Sequence, residues 1–236
     1  MSRCCLVTGA GRGIGAAVAE RLAADGWAVH AVDVDDADLT TREGNRAVVD
    51  AALERFDGRL DAVVANAGFQ HVSPVRDLPE DRFDALVALL LRSPFLLAKY
   101  AWDALVASGD GRFLVVASVH GLVASPFKAG YVAAKHGVLG LVKVLALEGA
   151  DRGIASTAVC PGYVRTPLVE RQIGDQARAH GLSEDRVLED VILAPHAVKE
   201  LIEPAEVAEV VAFLLGPAGR AFTGAPVTLD QGWTAR

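Results

Sequence analysis

Three side chains in the middle of the sequence have the types and spacing of an acid–base site. Tyr131 and Lys135 are four residues apart, so a helix places both on one face, and Ser118 ends an apolar run upstream. A phenol, with an ordinary pKa of about 10, is a poor base at neutral pH unless a positive charge stabilises the phenolate. Lys135 would provide that charge, and Ser118 would hold a substrate oxygen that exchanges its proton with Tyr131. The pattern alone is weak, because ordinary helices also carry Tyr and Lys at this spacing.

A glycine-rich turn near the start of the chain predicts a dinucleotide site. An apolar run at residues 3–8 leads into Gly9-Ala10-Gly11-Arg12-Gly13-Ile14-Gly15, and a helical pattern follows. Between a strand and a helix, such glycines let backbone N–H groups approach a pyrophosphate, whose charge the helix N-terminus favours. A merely flexible turn is the alternative, but the flanking strand and helix favour the nucleotide interpretation.

Asp33 indicates which dinucleotide would bind. It ends the second apolar run, 18 residues after Gly15, where an acidic residue is expected to bind the adenosine ribose hydroxyls. A carboxylate there repels a 2′-phosphate and favours NAD over NADP. Arg12 favours the opposite choice, because a basic residue in the glycine loop can pair with that phosphate. We give Asp33 more weight, because its charge would lie at the ribose itself.

The remaining elements must bring these residues together. Apolar periodicity predicts helices at about residues 41–56, 80–105 (interrupted near Pro94), 131–151 and 205–215, and strands at 60–65, 112–118, 155–160 and 226–229. This alternation predicts one α/β domain with a Rossmann-type, doubly wound parallel sheet. Ligands of such sheets bind at the carboxyl ends of the strands, which Gly9, Asn66, Ser118 and Pro161 all follow.

Residues 165–203 break the alternation, and we expect them to form a lid of two short helices over the site.

Composition restricts the class of protein. The 236 residues are 52% hydrophobic and 6% aromatic, which fits one large domain with an aliphatic core. The net charge of −7 and the lack of a basic block argue against a nucleic-acid partner. We found no long uncharged apolar stretch, so we expect a cytoplasmic protein without a membrane partner. Cys4, Cys5 and Cys160 lie in apolar runs without metal-ligand spacing and are predicted to be buried and reduced, with no metal site.

These motifs together resemble the short-chain dehydrogenase/reductase family over nearly the whole chain. The family's fold is a Rossmann-type sheet, its members are usually homotetramers, and its reaction is hydride transfer between a nicotinamide and an alcohol carbon. The resemblance also implies that Lys135 binds the nicotinamide ribose and lowers the pKa of Tyr131, and that Thr166 contacts the carboxamide. The matching motifs are Thr8-Gly9 through Gly15, Asn66-Ala67-Gly68, Ser118, Tyr131-x-x-x-Lys135 and Pro161-Gly162, and Val164 joins the implied cofactor-binding residues.

Within the family, further segments resemble the dehydrogenases that act on D-3-hydroxybutyrate. They are Gln70-His71, residues 118–125, Lys128, residues 131–137, residues 164–170 with Gln172, and the terminal Gly232-Trp233-Thr234-Ala235-Arg236. This resemblance implies that Gln70, His120, Lys128 and Gln172 hold the substrate carboxylate and that Tyr163 lines the same pocket. A small anion needs cationic or strongly donating groups, so Lys128 and His120 would supply charge and the glutamines amide donors.

The reaction expected from this resemblance is the NAD-dependent interconversion of D-3-hydroxybutyrate and acetoacetate. Two alternatives stay open. The substrate can be another short hydroxy acid or a 3-oxoacyl compound, or the protein can be a catalytically weak NAD-binding regulator.

Three positions depart from the family pattern. Leu90 stands where the family has an Asn that supports a water chain to the lysine. The usual third strand and its preceding helix are missing, because residues 34–40 are too few for a parallel crossover. The second strand should then form the sheet edge, with Asp38-Leu39 as the adenine-binding pair and weakened NAD binding. Gln231 replaces a residue that is more often Gly.

Overall fold

The fold is built on a six-stranded parallel sheet in a computed structural model that describes residues 2–235, with only the backbone of Arg171. Met1 and Arg236, the last residue of the predicted terminal segment, lie outside the described residues. The strand order β2-β1-β3-β4-β5-β6 confirms the predicted Rossmann-type α/β fold. The strands are β1 Cys4–Thr8, β2 Ala28–Val32, β3 Ala62–Ala65, β4 Gly111–Val116, β5 Ile154–Pro161 and β6 Pro226–Leu229.

Helices cover both faces of the sheet, because successive strand residues point to opposite sides. Cys5 and Val7 of β1 face a core shared with two helices, whereas Leu6 faces a second core shared with three others. The first core contains α1 Gly13–Ala24 and α8 Pro204–Leu215, and the second contains α2 Arg42–Arg55, α4 Ser93–Ala107 and α5 Ala129–Gly149. All three cysteines are buried and unpaired, as the sequence predicted.

The short second connection leaves β2 at the edge of the sheet. Residues 33–41 run directly from β2 into α2, and within residues 2–235 no strand pairs with the outer side of β2. The prediction that the second strand becomes the edge is therefore confirmed. The chain passes from β1 outward to β2 and then back across β1 to β3, so the strand order reverses between β1 and β3. A crevice for ligands is expected at this reversal.

Two helical stretches, Glu80–Ala107 and Ala129–Arg152, are long and apolar enough to cross a membrane by length and composition alone. Their most apolar windows are 50% and 44% buried against the rest of the fold. The first stretch is not one continuous α-helix, since α3 Glu80–Val87 passes into a π-helical turn, Ala88–Arg92, before α4. The sequence placed the interruption near Pro94; it lies immediately before that residue.

Residues 165–203 form a separate segment above the carboxyl end of the sheet. It contains α6 Pro167–His180 and α7 Glu184–Val187, which continues as a π-helical turn through Ile192. The two ends of the segment lie side by side: Val164 forms a parallel β-bridge with Ile202, and Arg165 Nε donates to Glu203 Oε1 at 2.7 Å. The first of the two predicted short helices is 14 residues long, because it runs on until Gly181 adopts a left-handed conformation.

Gln231 has a backbone conformation that explains why glycine suits its position. Its φ is +54°, in the left-handed region, and its carbonyl accepts hydrogen bonds from Ala197 N and Val198 N at 2.8 and 3.1 Å. We expect Gln231→Gly to raise the free energy of unfolding by roughly 1 kcal/mol, since a side chain is disfavoured in this region. Denaturant unfolding would measure the change.

The neighbouring Gly232 provides a matched control for this prediction. Its φ is +77°, and an added Cβ would lie 2.9 Å from Ala197 Cβ, so Gly232→Ala should destabilise the protein. A loss of stability in Gln231→Gly would contradict the strain argument.

Candidate active site

Gly9, Arg12, Gly13 and Ile14 of the glycine turn after β1 line the cleft. Gly9 and Gly13 have φ values of +65° and +58°, and a Cβ at Gly9 would lie 2.7 Å from Ala67 Cα. Gly15 does not line the cleft; a Cβ there would lie 2.1 Å from Gly9 O, so its glycine lets α1 pack against the turn. The turn leads into the N-terminus of α1, and a helix N-terminus favours a phosphate group.

Asn66 holds the two strands together where their order reverses. Its Nδ2 donates to Thr8 O at 2.9 Å and to Gly9 O at 3.0 Å. Thr8 Oγ1 in turn accepts hydrogen bonds from the backbone N–H groups of Asn66 and Ala67. These bonds fix the floor of the cleft between β1 and β3.

Asp33 is oriented by the backbone around it. Its Oδ2 accepts from Gly11 N and its Oδ1 from Val34 N, both at 2.7 Å. Each carboxylate oxygen keeps a free lone pair, which ribose hydroxyls can use. Asp38 is engaged differently, because hydrogen bonds from the Thr40 hydroxyl and N–H lower the pKa of its carboxyl.

A single cleft of about 440 Å³ connects these residues with the proposed acid–base site. Asp33, Asp38 and Leu39 line one end, and Lys128 and Gln172 also line its wall. Apart from Gly15, every site residue predicted from the sequence lines this cleft. Sequence reasoning missed several lining residues, some of which are direct neighbours of the motifs: Val34, Ala37, Thr40, Phe69, Leu89, Val116, Ala117, Pro167, Leu168 and Val169.

Tyr131 is partly buried in the wall of the cleft that Ser118 and Lys135 also line, and its pKa differs from the expectation. Burial raises the pKa of Tyr131 to about 12, against the opposing effect of a hydrogen bond with Ser118. Lys135 Nζ donates to Val116 O at 2.7 Å and lies 5.6 Å from the centre of the Tyr131 ring. Burial lowers the pKa of Lys135 to about 8. In the protein chain alone, burial raises the Tyr131 pKa and the opposing effect comes from Ser118, so the expected lowering by Lys135 stays a prediction.

Leu90 places an apolar side chain where the family has an Asn. It lies in the π-helical turn, is 2% exposed and shares a small cluster with Leu86, Ala134 and Tyr131. Its Cδ2 is 2.9 Å from where a Cβ on Gly68 would be. This side chain has no polar atom that could hold a water molecule beside Lys135.

Lys128 provides a buried amine in the same cleft. It is 2% exposed, and its Nζ donates to the Tyr163 hydroxyl at 2.7 Å. Gln176 Nε2 donates to the same hydroxyl at 3.3 Å, although the sequence did not suggest this residue. Its spacing of four from Gln172, on one face of α6, was the available signal. Burial lowers the pKa of Lys128 to about 7.

His120 does not supply the positive charge that the sequence suggested. Burial lowers its pKa to about 3, with a further contribution from Lys128, so the imidazole is neutral at pH 7. Its edge packs on Trp233, with ring centres 5.2 Å apart. Gln70 Oε1, which is buried without a hydrogen-bond partner, leaves a free acceptor in the cleft. Lys128 is thus the cationic group among the four proposed carboxylate-binding residues.

A family model described as enoyl-(acyl carrier protein) reductase matches residues 9–234. The chain belongs to the short-chain dehydrogenase/reductase family. It is therefore an oxidoreductase of this family, as the motifs indicated.

Several curated proteins of this family are similar to the chain. A D-beta-hydroxybutyrate dehydrogenase of Rhizobium meliloti is 42% identical over 85% of this chain and 77% of its own length. A D-beta-hydroxybutyrate dehydrogenase of Cupriavidus necator is 37% identical over 98% of this chain and 97% of its own. An uncharacterized oxidoreductase, YxjF of Bacillus subtilis, is 39% identical over 92% of this chain and 83% of its own length. The Cupriavidus comparison extends over 251 residues, more than the 236 of this chain, so that relative contains residues that this short-chain dehydrogenase/reductase lacks.

The Lys128 amine predicts a pH dependence for binding of a small carboxylate to this family member. Only the protonated amine attracts an anion, so affinity should be full well below pH 7, half its maximum near the Lys128 pKa of about 7, and fall further as pH rises. We expect the dissociation constant of acetate, measured by calorimetry, to rise about fivefold from pH 7 to pH 8.

Lys128→Met is the control, because it keeps an unbranched side chain but removes the charge. It should bind acetate weakly at every pH. A pH-independent affinity in the unaltered protein would exclude the Lys128 ammonium from carboxylate binding.

Proposed function

We propose that this protein is an NAD-dependent dehydrogenase that interconverts D-3-hydroxybutyrate and acetoacetate. The observation that carries the proposal is one cleft in which Asp33, the Ser118–Tyr131–Lys135 group and the buried Lys128 line a continuous wall. The names of the Rhizobium and Cupriavidus relatives support the same substrate.

The cofactor part of the proposal rests on the glycine turn and Asp33. Gly9 and Gly13 of the turn line the cleft at the start of α1, where a pyrophosphate would bind. Asp33 would accept hydrogen bonds from ribose hydroxyls and would repel a 2′-phosphate. When bound, NAD supplies the hydride acceptor and a positively charged ring. Asn66, Lys135 and Thr166 would hold its nicotinamide half, since they line the cleft beside Tyr131.

The protein's own side chains would then carry out the proton transfer. Ser118 hydrogen-bonds with Tyr131, so the two hydroxyls meet at one point and can both reach a single substrate oxygen. In the oxidation direction, Tyr131 takes the proton of the substrate hydroxyl while Ser118 holds that oxygen. Because burial alone raises the pKa of Tyr131, the base form requires positive charge close by, and Lys135 contributes part of it.

The substrate carboxylate would bind at Lys128. An ion pair with a buried amine that already donates to Tyr163 anchors the acid end. Gln172 would add an amide donor from α6 and the Gln70 amide N–H₂ another from the loop after β3, because both line the cleft. A ligand held at Lys128 and at Tyr131 must be short, which favours a small hydroxy acid over a long acyl chain.

The direct test follows absorbance of NADH after purified protein is mixed with NAD and D-3-hydroxybutyrate. The L enantiomer, NADP and other short hydroxy acids are the comparisons. A rise specific for the D enantiomer and NAD is the expected result. Turnover of a different hydroxy acid would replace the substrate, and NADH binding without turnover of any substrate would favour the weak regulatory protein that Leu90 suggests.

Tyr131→Phe separates chemistry from binding. Loss of the hydroxyl removes the acid–base group, so we expect turnover to fall by about 10³-fold or more. NADH binding, followed by fluorescence titration, should change little, because the ring and its packing remain. Activity close to that of the unaltered protein would remove Tyr131 from the proposed role.

Asp33→Asn tests the choice of dinucleotide. The amide keeps an acceptor for Gly11 N but loses the charge that would repel a 2′-phosphate, and Arg12 lines the same cleft. We expect the preference for NAD over NADP, measured as a ratio of kcat/KM, to fall by about tenfold or more. An unchanged ratio would show that Asp33 does not select the cofactor.

The missing helix and strand are proposed to weaken NAD binding, because the adenine would meet only residues 34–40. The same NADH titration, carried out beside a relative that has the full sheet, checks this expectation. Equal affinity would reject it.

A further inference from the structure

His120 is hydrogen-bonded on both sides of its ring. Its Nδ1 lies 3.5 Å from Ser118 Oγ, and its Nε2 lies 2.9 Å from Ser125 Oγ. Ser118 Oγ also accepts from His120 N at 3.1 Å, and it lies beside Tyr131 in the cleft, where its hydroxyl lowers the Tyr131 pKa. The four side chains therefore form an unbroken series that begins at the proposed base and passes through the imidazole.

The far end of this series reaches the surface. Ser118 and His120 are buried and Tyr131 is partly buried in the wall of the cleft, whereas Ser125 is half-buried between the exposed residues Ala124 and Pro126. A water molecule outside the protein can therefore meet the Ser125 hydroxyl. The series spans the distance from buried acid–base chemistry to solvent in three hydrogen-bonded steps.

The alternative proton route, a water chain beside Lys135, is blocked at Leu90. Lys135 Nζ donates to Val116 O, and Leu90 supplies only methyl groups where the family has an Asn that supports a water chain. A proton taken by Tyr131 still has to leave the buried site before the next turnover.

We propose that Ser118, His120 and Ser125 form a proton exit route from Tyr131 to solvent, in place of a water chain beside Lys135. The inference rests on the proposed function, because it concerns the proton that Tyr131 takes from the substrate hydroxyl. His120 and Ser125 act through Tyr131 and Ser118 and do not touch the reacting carbon.

The proton count balances along the route. Tyr131 donates its proton to Ser118 Oγ as Ser118 passes its own proton to His120 Nδ1. His120 releases the Nε2 proton to Ser125 Oγ, and Ser125 releases its proton to water. One proton enters and one leaves, and the hydroxyl rotors and the imidazole tautomer then reset. The transfer occurs after product release, when the Ser118 hydroxyl no longer holds the product oxygen.

The charge state of His120 suits this role better than carboxylate binding. A neutral imidazole has one acceptor nitrogen and one donor nitrogen, so it can take a proton on one side and release another on the opposite side. An imidazolium would have two donors and could not accept from Ser118. The low basicity caused by burial keeps the ring in the relay-competent form at neutral pH.

Ser125→Ala tests the proposal by interrupting the route at its exposed end. In a weakly buffered single-turnover experiment, absorbance reports NADH formation and a pH-indicator dye reports proton release. In the unaltered protein the proton signal should follow NADH formation at the rate of product release. In Ser125→Ala, NADH should form at the usual rate while proton release slows by about tenfold. In a separate, buffered multiple-turnover assay, millimolar imidazole should restore the rate of NADH formation, and KM for the hydroxy acid should stay unchanged.

Two variants complete the experiment. Ser125→Thr keeps a hydroxyl and should restore proton release. Ser73→Ala is the control, because the loop of Ser73 is held to Phe127 O by the Ser73 backbone N–H and not by its hydroxyl. The Ser73 hydroxyl donates to Pro74 O. Both signals should therefore match those of the unaltered protein.

The outcomes separate this inference from the proposed function. Proton release that keeps pace with NADH in Ser125→Ala would overturn the exit route, and so would a raised KM without rescue by imidazole. Absence of NADH from D-3-hydroxybutyrate in the unaltered protein would instead reject the substrate, and the dye experiment would then use the alcohol that the substrate comparison identifies.

Discussion

At the carboxyl ends of β1 and β3 the chain turns to opposite sides of the sheet, and Asn66 bridges the gap that this creates. Its amide donates to two carbonyls of the β1 end, Thr8 O and Gly9 O, which would otherwise face the cleft without partners. With that floor fixed, the glycine turn can stay free of side chains and Asp33 can reach Gly11 N. The positions of the acid–base residues depend on the same floor, because β4 follows β3 in the sheet and ends just before Ser118.

Burial governs the electrostatics of the cleft. Two amines, Lys128 and Lys135, are almost fully buried, and each donates to a neutral oxygen, Tyr163 Oη and Val116 O. A hydrogen bond to a neutral oxygen does not offset the free energy lost when an ammonium group is desolvated. The pKa values of Lys128 and Lys135 therefore fall to about 7 and about 8. An anionic group that enters the cleft would stabilise the ammonium forms and raise both pKa values. The same burial keeps His120 neutral and Tyr131 protonated.

Local motifs made the fold and most of the cleft predictable, because strand–turn–helix order and the glycines depend on nearby residues alone. The charge of His120 was not predictable in this way, since it follows from packing against Trp233 and from the proximity of Lys128. The π-helical turn before Pro94 was located only approximately, because it preserves the apolar pattern of a helix. The spacing of Gln176 from Gln172 was a signal in the sequence, but its hydrogen bond to Tyr163 depends on how α6 lies in the fold.

The two larger departures from the family pattern are neighbours in space. The shortened connection after β2 ends at Thr40 and Thr41, and Arg92, the last residue of the π-helical turn, donates from its guanidinium to Thr40 O. That same turn carries Leu90 two residues earlier. Because the helix and strand are missing, the short loop after β2 contacts the π-helical turn that contains Leu90. The shortened loop and the Leu90 substitution are therefore connected through this one turn. A replacement at Arg92 would therefore alter the support of the short loop, whereas Leu90 packs against Tyr131 and faces Gly68.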